Sequence, residues 1–520
     1  MQQNVGQKGI AGIIFSSSLG TLIEWYDFYI FGFLATIFST HFFPDEMSAS
    51  LKYISALAIF ASGFLVRPFG ALVFGRIGDI IGRKYTFLLT LVLMGGSTFA
   101  IGLVPGYHTL GVAAPIIVLA LRLIQGLALG GEYGGAATYV AEHAPANKRG
   151  FYTSFIQTTA TLGLFLALGV ILLVRNFTTK TSYEAEWGGW RYPFWLSILL
   201  VGVSIYIRLK MHESPLFAKL KAAGKTSKNP LKESFNNKAN FKMVLLALFG
   251  AVMGQGVIWY TSQFYAQSFL ETKANLSFDQ SRVIILWAVG FATPFFIFFG
   301  WLSDKIGRKW IMLLGMLLGV ICYRPIFNYF LTASNTATLQ IDELAQSRNI
   351  ATIKTDDKKL KDTLLETTTV QVNFTNSSTA TKIFTTAIDT KTGNKTPYGK
   401  PIFNNITVNQ KTYINFILLV FCMVLFVTMA YGPVAAFLVE LFPTKIRYTS
   451  MSLPYHIGNG VFGGLVPFIA TLITNTVDGA TPLDGLYYPI TVAALCVIIG
   501  AIYLPSKIDA DVLDNENEMV

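Results

Sequence analysis

The chain is short of charge. Asp, Glu, Lys and Arg make up 13% of its 520 residues, against about a quarter in an ordinary soluble domain. Its three cysteines, Cys322, Cys422 and Cys496, lie in or beside apolar runs and have no metal spacing; that excludes a disulfide framework or a zinc site and leaves them as packing residues. The glycines at 126, 130, 131, 134 and 135 have no Walker lysine after them, so no phosphate loop and no ATP drive is expected. There is no pairing of a nucleophile with a base and no metal cluster, and an enzyme is not expected. No cofactor is expected either.

What the sequence has is apolar length. Residues of the AVILMFWYC set reach 52%, the mean hydropathy is +0.50, and the apolar residues fall in runs of about 20, enough to cross a hydrocarbon core of about 30 Å. Such runs fit 10–38, 51–78, 84–104, 112–141, 150–175, 190–210, 241–270, 280–303, 310–332, 412–441, 448–474 and 484–504, twelve spans in all. Phe87 to Met94 and Ile414 to Val427 do not alternate, which argues against a barrel. The expectation is an all-α membrane protein in a lipid bilayer, and the first span is too long for a signal-peptide core.

The net charge of +11 raises the question of nucleic acid, but its placement answers it. With both termini inside, Lys8, Arg76, Arg83, Lys84, Lys148, Arg149, the basic residues between Arg208 and Lys242, Lys305, Arg308, Lys309, Lys445, Arg447 and Lys507 share one side, as the positive-inside bias demands. No nucleic-acid partner is expected. A multi-pass protein of the inner or plasma membrane, with cytoplasmic termini, is.

Two motifs occur twice. Gly75-Arg-Ile-Gly-Asp79-Ile-Ile-Gly82-Arg83-Lys84 returns as Gly300-Trp-Leu-Ser-Asp304-Lys-Ile-Gly307-Arg308-Lys309, 225 residues on, and Glu142 through Arg149 returns as Glu440 through Arg447, 298 residues on. The halves are therefore parallel repeats, and the 73-residue difference is an insertion between the third and fourth spans of the second half. The expected organisation is a six-helix bundle over 1–210, a basic cytoplasmic linker over 211–240, a second bundle over 241–504 interrupted by an extracytoplasmic insert over 333–411, and a tail over 505–520. Within the insert 370–374 alternates like a strand and 341–365 has helical character, so a small cap is expected. Asn373, Asn376 and Asn405 head sequons, which chance explains in so Thr- and Asn-rich a segment.

These paired loops, with Arg122-Leu-Ile-Gln125-Gly126, resemble the major facilitator superfamily. Glu24-Trp25-Tyr26-Asp27-Phe28, Arg67-Pro68-Phe69-Gly70, Gly130-Gly131-Glu132, Gly189 through Phe194 and Glu213-Ser214-Pro215-Leu216-Phe217 are similar to its metabolite:proton symporters. The resemblance covers nearly the whole chain outside the insert. It implies a twelve-helix fold of two pseudo-symmetric six-helix bundles, a monomer, and proton-coupled symport of a small carboxylate-bearing molecule, such as an organic acid, amino acid or betaine. Ile80 stands where the family motif usually has Arg, and the tail lacks the coiled coil of the osmosensing member.

A charge near the bilayer centre costs at least about 3 kcal/mol, so each needs a partner or a function. Glu24 and Asp27 are three residues apart, about 60° around a helix, and can face one cavity. By resemblance to sugar:proton symporters, Asp27 and Arg122 form the proton-coupling pair, with Glu24 and Glu132 as further candidates; a fixed interhelical bridge is the alternative. Asp79, Arg83, Glu142 and Arg149, and their counterparts Asp304, Arg308, Glu440 and Arg447, are expected to close an inner gate. Substrate contact is expected from Tyr29, Gln157, Gln255, Trp259, Gln263, Tyr431, His456 and Asn459, residue types that also serve to bond neighbouring helices. Arg67 is open between attracting an anion and packing at the proline. A sugar or drug transporter of the same fold is the competing function. Thr158 to Gly169 lacks the proline of the drug antiporters, which leaves the neutral sugar ahead of it.

Overall fold

The computed structural model describes residues 7–80, 83–131, 136–138, 140–141, 144–209, 232, 235–336, 339–354, 363–389, 394–442 and 447–505. Most of the linker, the tail, Glu132 and Glu142 lie outside them. Each of the twelve expected spans falls on a helix or a pair of helices. Among the described residues nine helices, from Ala49–Phe74 to Asp484–Tyr503, are long and apolar enough to cross a membrane; Thr21–Phe33 and Ala35–His41 make a tenth, bent by 56°. The bend has a local cause. The Leu34 amide is shared between the Ile30 and Phe31 carbonyls at 3.2 Å each, so the α-helical ladder stops there and restarts.

The second span breaks between Ala49–Leu65 and Arg67–Ile80. Pro68 accounts for the break, since it lacks an amide and disfavours helix in the residue before it. Arg67 is thereby set at the start of a new helix inside the span. This span packs on Ala113–Gly130 at backbone distance: a Cβ on Gly126 would overlap the Gly63 carbonyl, so only glycine allows that approach. Two other spans carry π-helical segments, Leu248–Val252 and Thr261–Tyr265 in one and Ile457–Gly463 in the other. Such segments shift which side chains face inward and are frequent at functional sites.

By internal contact the chain forms two compact units. The larger comprises Met1–Tyr265, Val289–Tyr323 and Phe421–Val520, and its core is almost wholly helical.

The smaller unit, Ala266–Ala288 with Arg324–Val420, is built around a sheet. Strands β1 (Ile341–Lys354), β2 (Thr363–Phe374), β3 (Thr379–Asp389) and β4 (Lys395–Thr407) form an antiparallel meander in that order. The alternation of 370–374 does belong to a strand, but the helical character expected over 341–365 is wrong for 341–354 and 363–365, which are strand; 355–362 lie outside the described residues. Ser347 to Lys354 pairs continuously with Gln371 to Leu364, and the β-branched content of both segments favours that pleated pairing over a helix. Val370, Val372, Phe374, Ala380, Ile406 and Val408 form the sheet's own core. Ser277 donates its amide to the Ile406 carbonyl at 2.8 Å, Ile406 donates to Asn275 at 2.9 Å, and Gln280 brackets Val408 with bonds of 2.8 and 3.1 Å. Beside them Arg282 pairs with Glu271 at 3.0 Å.

Candidate substrate site and gate

Arg122 is fully buried, and its hydrogen bonds tie helices together. Nη1 donates to the Phe28 carbonyl at 3.3 Å and to Gln125 Oε1 at 2.7 Å, while Nη2 donates to the Phe60 carbonyl at 3.2 Å. Gln125 passes the chain on to Thr98 Oγ1 at 2.6 Å, and Thr98 donates to the Met94 carbonyl at 2.9 Å. The guanidinium also lies against the Phe28 and Phe31 rings, 4.2 and 4.8 Å from their centroids. Four spans of the first half are therefore linked through Arg122 and its partner Gln125. Gln125 is part of the Arg122 motif but had no role assigned to it, and Thr98, the end of the relay, was not singled out.

Asp27 is not among Arg122's partners. Both its carboxylate oxygens are buried without a hydrogen bond, and the adjoining polar side chain is Ser197. Asp27 and Arg122 are thus held apart in this conformation. Glu24 is buried one turn away.

Around Asp27's helix the site is aromatic on one side and polar on the other. Trp25 stacks on Tyr29 at 5.0 Å and Tyr29 on Trp259 at 5.5 Å between centroids. Arg67 lies over Phe28 and Phe64, 4.3 Å from each centroid, and over Trp25 at 5.4 Å. Tyr260 is a side-chain hydrogen-bonding neighbour of Arg67, and Tyr29, Tyr431 and His456 are within its electrostatic reach. Asn459 donates to Gln255 at 3.0 Å, and Tyr431 bonds Tyr455 through their hydroxyls at 2.6 Å. Gln157 is buried as well.

A set of these buried atoms has no hydrogen-bond partner: the Tyr29 hydroxyl, Arg67 Nε and Nη2, Gln255 Nε2, Trp259 Nε1, both polar atoms of Gln263 and both ring nitrogens of His456. Burying a polar group unpaired costs about 1–3 kcal/mol. One such atom is an accident of packing, whereas several from different spans mark a place that receives a polar guest. Trp25, from the Glu24–Phe28 motif, belongs to this wall too, as do Tyr260 and Tyr455, which the sequence did not single out.

The second site lies at the ends of the spans. Arg308 grips Glu440 with two bonds, Nε to Oε2 at 2.7 Å and Nη2 to Oε1 at 2.5 Å, and its Nη1 reaches Asp304 at 3.1 Å. Asp304 in turn accepts the amides of Gly150 and Phe151, both at 2.8 Å, so it caps the helix that begins at Arg149. Arg447 is buried and donates Nε to the Phe442 carbonyl at 3.1 Å. Three of the residues singled out from the repeated loops, Asp304, Arg308 and Glu440, thus converge. The side chains of Asp79, Arg83 and Glu142 lie outside the described part.

A family model for "Sugar (and other) transporter" matches residues 13–229. The inner membrane metabolite transport protein YhjE of Escherichia coli is 31% identical over 485 residues, 91% of this chain and 90% of that one. The proline/betaine transporter of the same bacterium is 36% identical over 323 residues, 60% of this chain and 63% of that one. Among solved structures, the proton:xylose symporter XylE bound to 6-bromo-6-deoxy-D-glucose superposes with a TM-score of 0.67 at 16% identity, covering 97% of this chain and 98% of that one, which speaks for the fold alone. The apolar helical spans, the paired loop motifs and a relative matched over nine-tenths of both chains agree: this multi-pass membrane protein belongs to the major facilitator superfamily, among its metabolite transporters, and has that superfamily's twelve-helix fold.

Proposed function

We propose that the protein is a proton-coupled symporter of a small carboxylate-bearing metabolite, an organic acid, amino acid or betaine, and that it works by alternating access. The observation that carries this is the group of unpartnered buried polar atoms contributed by Asp27, Tyr29, Arg67, Gln255, Trp259, Gln263 and His456. A structural polar network would satisfy itself; this one is incomplete without a guest offering both acceptors and donors. The relatives named for proline and betaine carry solutes of that description, and the position of the site midway along several spans suits a transporter.

Asp27 is the proton carrier in this scheme. Its carboxylate has no fixed cation, so a proton is what neutralises it while the substrate is enclosed, and a swing of Arg122 away from the Phe28 and Phe60 carbonyls would put a cation beside it and expel that proton. Glu24 and Glu132 are secondary carriers. The Asp304–Arg308–Glu440 cluster, with Arg149 and Arg447, is the inner gate, and its first-half counterparts Asp79, Arg83 and Glu142 complete it. Opening requires separating Asp304 from the helix it caps. The basic ends face the cytoplasm, both termini with them, in the inner membrane, and a monomer suffices.

A neutral sugar is the second reading, favoured by the amides of Gln255, Gln263 and Asn459, which are good hydroxyl partners. Uptake into proteoliposomes under an inward proton gradient separates the two. Accumulation of 2-oxoglutarate, L-proline or glycine betaine is expected; accumulation of D-xylose with no competition from any of them would defeat the carboxylate reading.

A further inference from the structure

Two arginines are buried at the site, and the structure uses them differently. Arg122 has its Nη groups committed to two backbone carbonyls and Gln125. Arg67 is 1% exposed, and its Nε and Nη2 have no partner. Those two nitrogens lie on one side of the guanidinium and point their hydrogens the same way, which is the fork that a carboxylate fits with both oxygens.

The protein shows that fit elsewhere. Arg308 holds the Glu440 carboxylate through the same two atoms, Nε and Nη2. From this we infer that Arg67 is the specificity-determining residue of the site and grips the substrate's carboxylate side-on through Nε and Nη2. The inference rests on the carboxylate reading above and adds to it the atom pair that enforces it.

The surroundings of Arg67 make the fork directional. Phe28 and Phe64 cover the guanidinium, each centroid 4.3 Å from its carbon, so an anion has access at an edge and not at those rings. The Pro68 break fixes where the side chain starts. The tyrosines and the histidine around it, Tyr260 as a hydrogen-bonding neighbour and Tyr29, Tyr431 and His456 within electrostatic reach, come from spans of both halves, so a carboxylate gripped there lies among side chains of both. None of these neighbours is acidic, and a buried cation that makes no ion pair among the described residues is costly. A substrate carboxylate supplies that counter-ion, whereas an amide or a sugar hydroxyl fills the geometry without the charge.

The test uses the full-length protein purified in detergent, with L-proline and succinate as probes, prolinamide and succinamide as their uncharged-carbonyl counterparts, and D-xylose as the neutral sugar. Binding is read by isothermal titration and by the rise in unfolding temperature. The expected result is that at least one acid binds the wild type and its amide does not. Arg67→Lys, which keeps the charge but loses the fork, weakens that acid by at least about tenfold, and Arg67→Gln abolishes acid binding with unchanged elution. An acid that binds Arg67→Lys as tightly as wild type overturns the role of Arg67 and leaves the carboxylate reading standing. D-xylose binding with no acid binding overturns both. If Arg67→Gln does not fold, Arg67→Lys alone decides.

Discussion

Asp304 accepts the amides of Gly150 and Phe151 at 2.8 Å each, so a carboxylate from one repeat caps a helix of the other. This joins the repeated loop motifs more tightly than an ion pair would, because the helix N-terminus supplies both fixed donors and a positive dipole.

Asp304→Asn removes the charge from that cap and from Arg308, and hydrogen bonds to charged groups are worth about 1.5–3 kcal/mol each. The gate should open more often. A cysteine placed at Ser154, which is buried beside Gly300, should then react with N-ethylmaleimide at least about tenfold faster than in the Asp304 background, since each 1.4 kcal/mol is about a factor of ten. Equal rates would mean that the cap does not hold this end closed.

Arg122→Ala strips hydrogen bonds from the Phe28 and Phe60 carbonyls and from Gln125. Leaving such groups buried and unpaired costs about 1–3 kcal/mol. Thermal unfolding in detergent should show a clear fall in midpoint, larger than that of Arg67→Ala, whose Nε and Nη2 have no partners to lose. The reverse order would contradict the division of labour between the two arginines.

Asp27→Asn should abolish uphill uptake while sparing counterflow exchange of the same solute, because exchange needs the site but not the proton. Persisting accumulation driven by a pH gradient would remove Asp27 from the coupling step.

Gly126→Val places side-chain atoms on the Gly63 carbonyl. Overpacking of this kind costs about 1–3 kcal/mol or more, and here it also displaces Arg122 on the same helix. Reduced yield of folded protein and a lowered unfolding midpoint are the expected signs; a normal midpoint would show that the two helices can part without cost.

The sheet is expected to be dispensable for transport provided its footing survives. Replacing 341–407 by a Gly/Ser linker keeps Val408 and its two bonds to Gln280, and proton-driven uptake should remain. A stable, correctly inserted variant with no uptake would assign the sheet a part in substrate capture.

The apolar runs were enough to expect the helices, because the need to satisfy every backbone group in lipid leaves a run of that length only the helix. The paired loops were enough to bring forward Asp304, Arg308 and Glu440, since an acid repeated in two loops has no other reason to be there. The strand at 341–354 was not legible: its local pattern is weak, and what decides it is the antiparallel pairing of β1 with β2, a contact between strands rather than a property of one segment. Nor could spacing along single helices reveal which carbonyls Arg122 would bond, that Asp27 would stand apart from it, or that Arg67 would keep an open fork. Those are relations between spans, set by backbone approach at Gly126 and by the break at Pro68. The sequence by itself determined which residues are buried in the membrane; the tertiary structure decided which of them are satisfied by each other and which are left for a ligand, because a hydrogen bond depends on position in space and not on residue type.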